Sequence, residues 1–219
     1  MANKSKKQMK KGNQFVQAIK NSSETVRVTM LKRQPVSLTT RSDGHLIVRN
    51  NEFLTDLTNS TTTSDRTLLI KCDPAEWPWI RNIADRYSKY RFNKLRFYFV
   101  PGVGTTRDGV VAMGYFNEAT EGTAWSATTD LASLSRNYPF VSGPVFSDKI
   151  SLDVPVRESI YPWYQSQQVG YVGPVGNLGE AGAIGVYLRF QTSTPVTSVG
   201  QIYVEYELEL AVPTGFSAT

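Results

Sequence analysis

Two segments of the chain alternate apolar and polar residues with the two-residue period of a half-buried β-strand. In residues 90–100 the apolar Phe92, Leu95, Phe97 and Phe99 interleave with Arg91, Lys94, Arg96 and Tyr98. In residues 200–211 the apolar Ile202, Val204, Tyr206, Leu208 and Leu210 interleave with Glu205, Glu207 and Glu209. One buried and one polar face is typical of strands in an antiparallel sheet.

Five further segments are rich in β-branched and aromatic residues and are bounded by turn-forming residues. With the two above, the predicted strands are 46–57, 66–72, 90–100, 109–116, 144–154, 183–192 and 200–211. A short eighth strand is predicted within 158–172, around Tyr161, Trp163 and Tyr164. The Gly-rich stretch PGVGTTRDG predicts a hairpin between the strands 90–100 and 109–116.

Two segments depart from the strand pattern and predict short helices. Within 74–87, Trp79, Ile83 and Tyr87 recur at the four-residue spacing of one helix face after Pro78. Residues 128–134 predict a second helix, with Thr128 or Thr129 as its N-cap. The expected fold class is therefore all-β, an antiparallel sandwich with one or two short connecting helices.

The length and composition are consistent with one globular domain that has a single hydrophobic core. The chain has 219 residues, of which 40% are hydrophobic and 11% aromatic. Without an unpacked tail this leaves one domain of roughly 170 to 180 residues. The single cysteine, Cys72, rules out an intrachain disulfide and is typical of a reducing compartment. No apolar run is long enough for a secretory signal or a membrane span.

Positive charge is concentrated at the N-terminus. Residues 1–33 carry a net charge of about +8 and the remainder about −3, because the whole chain sums to +5. The cations of this segment are Lys4, Lys6, Lys7, Lys10, Lys11, Lys20, Arg27, Lys32 and Arg33. Low apolar content predicts that residues 1–20 are disordered until a polyanion binds. We therefore predict a basic N-terminal arm and connector over 1–43 and a folded domain over 44–219.

A flexible, lysine-dominated segment suits neutralisation of phosphates rather than readout of bases. The predicted ligand of the arm is therefore nucleic acid, bound with little sequence preference. A solubility tail and contact with an anionic membrane are the alternatives.

The chain has few of the residues that enzymes use as nucleophiles and bases. Its only histidine, His45, lies in a predicted turn, and Cys72 ends a predicted strand. No Cys/His spacing exists to build a zinc site. A phosphate-binding loop needs a lysine and a hydroxyl residue after its last glycine, whereas in PGVGTTRDG the last glycine, Gly109, leads into a predicted strand. The three glutamates of 200–211 share one strand face, which we interpret as solvated or as an interface. We predict a protein without enzymatic activity.

Asn117, Glu118 and Glu121 place three oxygen-bearing side chains directly after the predicted strand 109–116. Calcium binds such oxygens but takes about six to eight of them. Three are too few unless waters or a neighbouring chain supply the rest. The residues alone therefore favour a solvated loop.

Residues 77–116 contain an ordered series of short motifs. These are Pro78-Trp79-Ile80, Ala84, Tyr87-Ser88-Lys89-Tyr90-Arg91-Phe92, Val100-Pro101, Thr105-Thr106 and Gly109-Val110-Val111-Ala112-Met113. The series resembles the shell domain of coat proteins from small icosahedral positive-strand RNA viruses of plants, the tombusvirus, sobemovirus and luteovirus-like group. Weaker similarity extends through 142–145 and the closing segment 200–213.

The resemblance implies an eight-stranded antiparallel jelly roll, in agreement with the strand count. It implies a viral capsid protein that self-assembles into an icosahedral shell of quasi-equivalent copies and packages single-stranded RNA through the arm. The expected locations are the virion and the host cell cytoplasm, without a membrane partner. Tombusviruses proper usually carry a protruding domain after the shell domain, and this chain, which ends at Thr219, is expected to lack one.

The resemblance also implies roles for individual residues. The expected core residues of 77–99 are Trp79, Tyr90, Phe92, Phe97 and Phe99. The expected inner or interface residues are Arg81, Arg86, Lys89, Lys94 and Arg96. Glu118 and Glu121 match the last two positions of the family's spaced-aspartate calcium motif, and Phe116 replaces the first. A calcium ion held by Glu118 and Glu121 at subunit interfaces is thereby implied.

Two other functions fit part of the sequence. A non-capsid viral RNA-binding protein, of the movement or silencing-suppressor type, would share the basic arm and the β-rich body but would not form closed particles. A carbohydrate-binding jelly roll would explain the body but not the arm.

Overall fold

The structure is a computed structural model that describes residues 35–58, 65–104, 108–128, 130–147, 150–166, 179–190 and 198–214. In these ranges the strands are β1 (Ser37–Thr40), β2 (Leu46–Leu57), β3 (Asp65–Lys71), β4 (Tyr87–Pro101), β5 (Gly109–Phe116), β6 (Phe140–Pro144), β7 (Ser151–Asp153), β8 (Tyr164–Gln165), β9 (Ala183–Phe190) and β10 (Gly200–Pro213). The α-helices are α1 (Arg81–Ala84), α2 (Ala119–Ser126) and α3 (Leu131–Leu134). Short 3₁₀ turns span Pro74–Glu76 and Val156–Glu158.

The strands form two antiparallel sheets. One sheet has the order β1-β2-β10-β4-β7, with β8 paired to β4, and the other has the order β3-β9-β5-β6. In the first sheet the central strand β10 pairs along most of its length with β2 on one side and with β4 on the other. Four strands of each sheet build an eight-stranded jelly roll, and β1 and β8 are additional strands of the six-stranded sheet. The predicted fold class is confirmed.

The core lies between the sheets and follows from the alternation in the sequence. On β10, the even-numbered residues from Ile202 to Leu208 are buried, whereas the odd-numbered residues between them lie on the opposite face. Trp77, Tyr90 and Phe97 are among the largest buried side chains. Burial of one such side chain stabilises the fold by roughly 1.5 to 3 kcal/mol. Of the predicted core residues, Tyr90, Phe92, Phe97 and Phe99 are confirmed.

Two strand predictions are wrong in detail. β4 and β5 do not form a hairpin, because β4 pairs with β10, β7 and β8 whereas β5 pairs with β9 and β6 in the other sheet. The chain between them crosses from one sheet to the other. The predicted strand 144–154 is two strands, β6 and β7, with Val145 and Ile150 buried in the connection.

The helix predictions are wrong in position. The segment 74–87 contains a 3₁₀ turn and the single-turn helix α1, and Tyr87 already begins β4. Within this segment Trp77, at 2% exposure, is therefore the buried tryptophan, whereas Trp79, at 37%, lies at the surface. In α3 the N-cap is Asp130, whose carboxylate accepts from the backbone N–H groups of Ala132 and Ser133.

Helix α2 is absent from the predictions. Its sequence, ATEGTAWS, has no run of apolar residues at helical spacing and contains Gly122. Among the described residues, no helix is both long and apolar enough to cross a membrane.

Candidate functional surfaces

The six-stranded sheet turns a charged face away from the core. This ladder face carries Glu205, Glu207 and Glu209 along β10, with cations on the neighbouring strands β2 and β4. Glu205 accepts from Lys94 Nζ at 2.5 Å, and Glu207 accepts from Arg49 Nε at 2.7 Å. At the sheet edge, Arg96 Nε lies 2.6 Å from Asp153 Oδ1. Opposite charges on neighbouring strands each add a few tenths of a kcal/mol to about 1 kcal/mol.

Glu209 is the most enclosed carboxylate of the ladder face. Its Oε2 accepts from Arg91 Nε at 2.9 Å and Nη2 at 2.7 Å, and its Oε1 accepts from Arg41 Nη1 at 3.0 Å. His45 Nδ1 lies 2.9 Å from the same Oε1. Burial opposes ionisation, but the hydrogen bonds from His45, Arg91 and Arg41 outweigh it and lower the pKa of Glu209 to about 2.

This cluster fastens the turn between β1 and β2 to the sheet. Arg41 and His45 lie in that turn, and both contact Glu209 on β10. The Trp163 ring covers the Arg91 guanidinium at 4.5 Å and meets the His45 ring edge-on at 5.5 Å. The solvated or interface face expected for the glutamates is thus a network of ion pairs.

An aromatic row lies at the other end of the ladder face. Phe53 on β2, Tyr203 on β10 and Tyr98 on β4 are direct register partners. Tyr98 and Tyr203 stack with 5.6 Å between ring centroids and 11° between planes, and Phe53 meets Tyr203 edge-on at 5.7 Å. Tyr98 also donates its hydroxyl to Asn51 Oδ1 at 2.6 Å.

The outer face of the four-stranded sheet is apolar and is covered by helices. Trp125 of α2 and Leu134 of α3 pack on Ala112 and Tyr187 of the central strands. Gly185 on β9 makes this contact possible, because a Cβ atom there would lie only 2.7 Å from Trp125 and 2.9 Å from Leu134. The two sheets therefore present different surfaces, one helical and one charged.

The predicted calcium ligands lie at the start of α2 rather than in a loop. Glu118 is the N-cap residue and Glu121 lies in the first turn, where carboxylates stabilise a helix by charge alone. Phe116, which replaces the first motif position, is buried against Trp125. Among the described residues of one chain, no three His, Cys, Asp or Glu side chains form a group that could hold a metal ion. The residues do not fit a calcium site within one subunit, and the interface site stays a prediction.

The other residues with predicted roles lie partly inside and partly outside the described ranges. All nine cations of 1–33 lie outside the described residues. Lys94 and Arg96 are ion-paired on the ladder face, and Arg81 and Lys89 are exposed. Arg86 is exposed as well, and the inner or interface position of these five residues in a shell stays a prediction.

Neither His45 nor Cys72 is placed for nucleophilic catalysis. His45 contacts a carboxylate and a tryptophan, as described above. Cys72 is buried, and burial raises the pKa of its thiol. A buried thiol of raised pKa is a structural residue rather than a reactive one.

Two buried carboxyl groups were not anticipated from the sequence. Asp73 is 2% exposed, caps the 3₁₀ turn Pro74–Glu76 by accepting from Ala75 N–H, and has a pKa raised by burial to about 7. Glu52 points into the core from β2, accepts from Trp79 N–H at 2.9 Å, and has a pKa raised by burial. Asp73 before Pro74 matches a turn-capping pattern, whereas Glu52 carries no such signal.

Comparison with known proteins agrees with this architecture. The viral coat protein (S domain) family matches residues 22–215. The capsid protein of Cucumber necrosis virus is 32% identical over 161 residues, which cover 74% of this chain and 38% of that protein. The capsid protein of Tobacco necrosis virus (strain A) is 24% identical over 184 residues, covering 76% and 63% respectively. The chain thus spans less than two thirds of these relatives.

A solved structure of tobacco necrosis virus superposes with a TM-score of 0.72 at 20% sequence identity, covering 85% of this chain and 90% of that one. At this identity the superposition supports the fold alone. The family match over most of the chain goes further, and the chain belongs to the viral coat protein family, of which it contains the S domain.

Proposed function

We propose that this chain is the subunit of an icosahedral virus shell that associates with copies of itself and packages single-stranded RNA. The observation that carries the proposal is the combination of a coat-protein jelly roll with a basic segment of about +8 at residues 1–33. The role is structural and non-enzymatic. The protein acts in the virion and is made and assembled in the host cytoplasm.

The charges support a division of labour between the two parts. On the ladder face the basic side chains have acidic partners. The excess positive charge resides in residues 1–33, because the remainder of the chain sums to about −3. If all of that charge engages RNA, the slope of log K against log salt is about −5 to −6. We propose the boundary at residue 43, with 1–43 as arm and connector and 44–219 as shell domain. The connector is the C-terminal part of residues 1–43, and the pairing of β1 with β2 supports a connector whose last residues join the six-stranded sheet.

Self-association is supported by apolar side chains at the surface. The large exposed hydrophobic residues include Val36, Leu38, Phe53, Trp79, Tyr138, Phe146, Ile160 and Val212. Such residues are normal when scattered but favour protein contacts where many copies meet. RNA bound by many arms raises the local concentration of subunits, so weak lateral contacts become cooperative.

Deletion of residues 1–20 tests the proposal. The shell domain is expected to fold, because the buried hydrophobic residues of the described chain run from Val48 to Ala211 and lie well outside the deleted segment. The particles are expected to be empty, small or absent. A full-length variant with residues 1–20 shuffled keeps the charge and is the matched control, and it is expected to package RNA. Nuclease protection of RNA and particle size are the measurements. Normal encapsidation by the deletion variant would contradict the proposal. RNA binding by subunits that never close into particles would indicate the non-capsid RNA-binding function.

A further inference from the structure

We propose that the ladder face is itself a binding surface for single-stranded RNA, on which bases stack against the aromatic row while phosphates meet the adjacent cations. The inference rests on the proposed packaging of RNA and adds a second contact site outside residues 1–33.

The aromatic row has the form of a stacking surface. Phe53, Tyr203 and Tyr98 lie side by side on three adjacent strands, with 5.6 to 5.7 Å between neighbouring ring centroids. Phe53 is 39% exposed, so its ring remains open to a ligand. Aromatic side chains on a sheet face bind unpaired bases of any sequence, because every base has a π-face.

Along the ladder face, from Lys94 near the row to Arg41 and Arg91 at the far end, the cations are more exposed than the anions that neutralise them. The exposed fractions of the basic side chains are 56% for Arg49, 49% for Lys94, 48% for Arg41 and 39% for Arg91, against 26% for Glu207, 19% for Glu205 and 1% for Glu209. Asp153, at 62% beside Arg96 at 39%, is the exception and lies on the edge strand β7. A polyanion approaching the face therefore meets basic groups first. An arginine already paired through one edge still has N–H donors for a phosphate.

The strand β1 belongs to the sheet that carries the ladder face. Ser37 in β1 is the register partner of Arg49 in β2. Arg49, one of the basic groups of the ladder face, therefore lies on a central part of the sheet rather than at a free edge.

A second copy of this chain fits the face less well. In a two-fold symmetric contact the same patch meets itself. The groups that protrude furthest from the patch would then be basic on both sides of the contact, which is repulsive. RNA supplies the opposite charge as well as stacking partners.

Ultraviolet cross-linking of RNA-filled particles, followed by mass spectrometry of the peptides, tests the inference on the unmodified full chain. Adducts are expected on peptides that contain Phe53 or Tyr203, in addition to the arm. Adducts on the arm alone would overturn the inference and leave RNA packaging intact. Particles that protect no RNA would overturn both.

A binding experiment with a matched pair of variants gives a second test. Phe53→Ala in the full-length chain is expected to weaken oligouridylate binding by about fivefold or more at high salt, without changing the salt slope. Tyr138→Ala is the control, because it removes an aromatic ring that is 81% exposed in the connection between α3 and β6, away from the ladder face. Equal affinity of the two variants would contradict the inference. Altered particle assembly by Phe53→Ala at unchanged RNA affinity would also contradict it, because it would make the row a subunit contact.

Discussion

Replacing Glu209 by glutamine is expected to destabilise the shell domain more than the same replacement of Glu205 or Glu207 on the ladder face. The glutamine keeps the size of the side chain and one accepting oxygen. It removes the negative charge that Arg41, His45 and Arg91 share. The variant would then hold two guanidinium groups close together without a counter-charge.

The magnitude follows from the pKa of Glu209, which is lowered from 4.5 to about 2. A shift of this size corresponds to about 3 kcal/mol of stability at neutral pH. Arg41 and Arg91 are partly exposed, so solvent screens their attraction, and we expect a loss of about 2 kcal/mol in unfolding free energy. Because the folded pKa is the lower one, this stabilisation is complete above about pH 4.5 and is lost as the pH falls towards 2.

Urea unfolding of full-length monomeric subunits, followed by tryptophan fluorescence, measures the effect. Trp163 on Arg91 is a local reporter of the cluster. Glu207→Gln is the matched control on the same strand face, because its partner Arg49 is more exposed, and we expect it to cost less than about 1 kcal/mol. The stability difference between wild type and Glu209→Gln should shrink between pH 4.5 and 2. Equal losses for the two variants, or a difference independent of pH, would refute the reasoning.

Two further substitutions test the packing and the buried carboxyl groups. Gly185→Ala is expected to lower the unfolding free energy by about 1 to 3 kcal/mol and to increase proteolysis within 117–137, because the new Cβ would displace Trp125. Gly104→Ala is the control, because a Cβ atom at Gly104 would have no atom within 4 Å. Equal proteolysis of the two variants would contradict the packing of Trp125 on Gly185. The pKa of Asp73 is about 7 in the folded protein, against 3.8 for an ordinary aspartate. The unfolding free energy of the wild type should therefore fall by up to about 1.4 kcal/mol for each unit by which the pH rises between 4 and 7. Asp73→Asn keeps the accepting oxygen for Ala75 and should flatten that slope in thermal unfolding; an unchanged slope would show that another group titrates.

Strand positions could be predicted from the sequence, but strand partners could not. β2 and β5 have the predicted bounds, and alternation placed the glutamates on the polar face of β10 and the cations on the polar face of β4. A two-residue period reports which face is buried and says nothing about the neighbouring strand. The jelly roll sends β4 and β5 to different sheets, and this is why the predicted hairpin is wrong.

The tryptophans and α2 show where local pattern fails. The helical spacing from Trp79 assumed a continuous helix, whereas the chain forms a 3₁₀ turn and one helical turn, so that Trp77 is buried and Trp79 is not. Helix α2 is held by the packing of Trp125 on the glycine-bearing sheet face rather than by an amphipathic pattern. The aromatic row also depends on register between distant strands, so its members could not be grouped from the sequence.

Negative-stain electron microscopy of the purified full-length protein, after nuclease treatment, tests the central proposal most directly. We expect uniform closed particles whose ratio of absorbance at 260 and 280 nm shows protected nucleic acid. Monomers or dimers that bind RNA without forming shells would contradict self-assembly and leave the family relationship as a statement about fold.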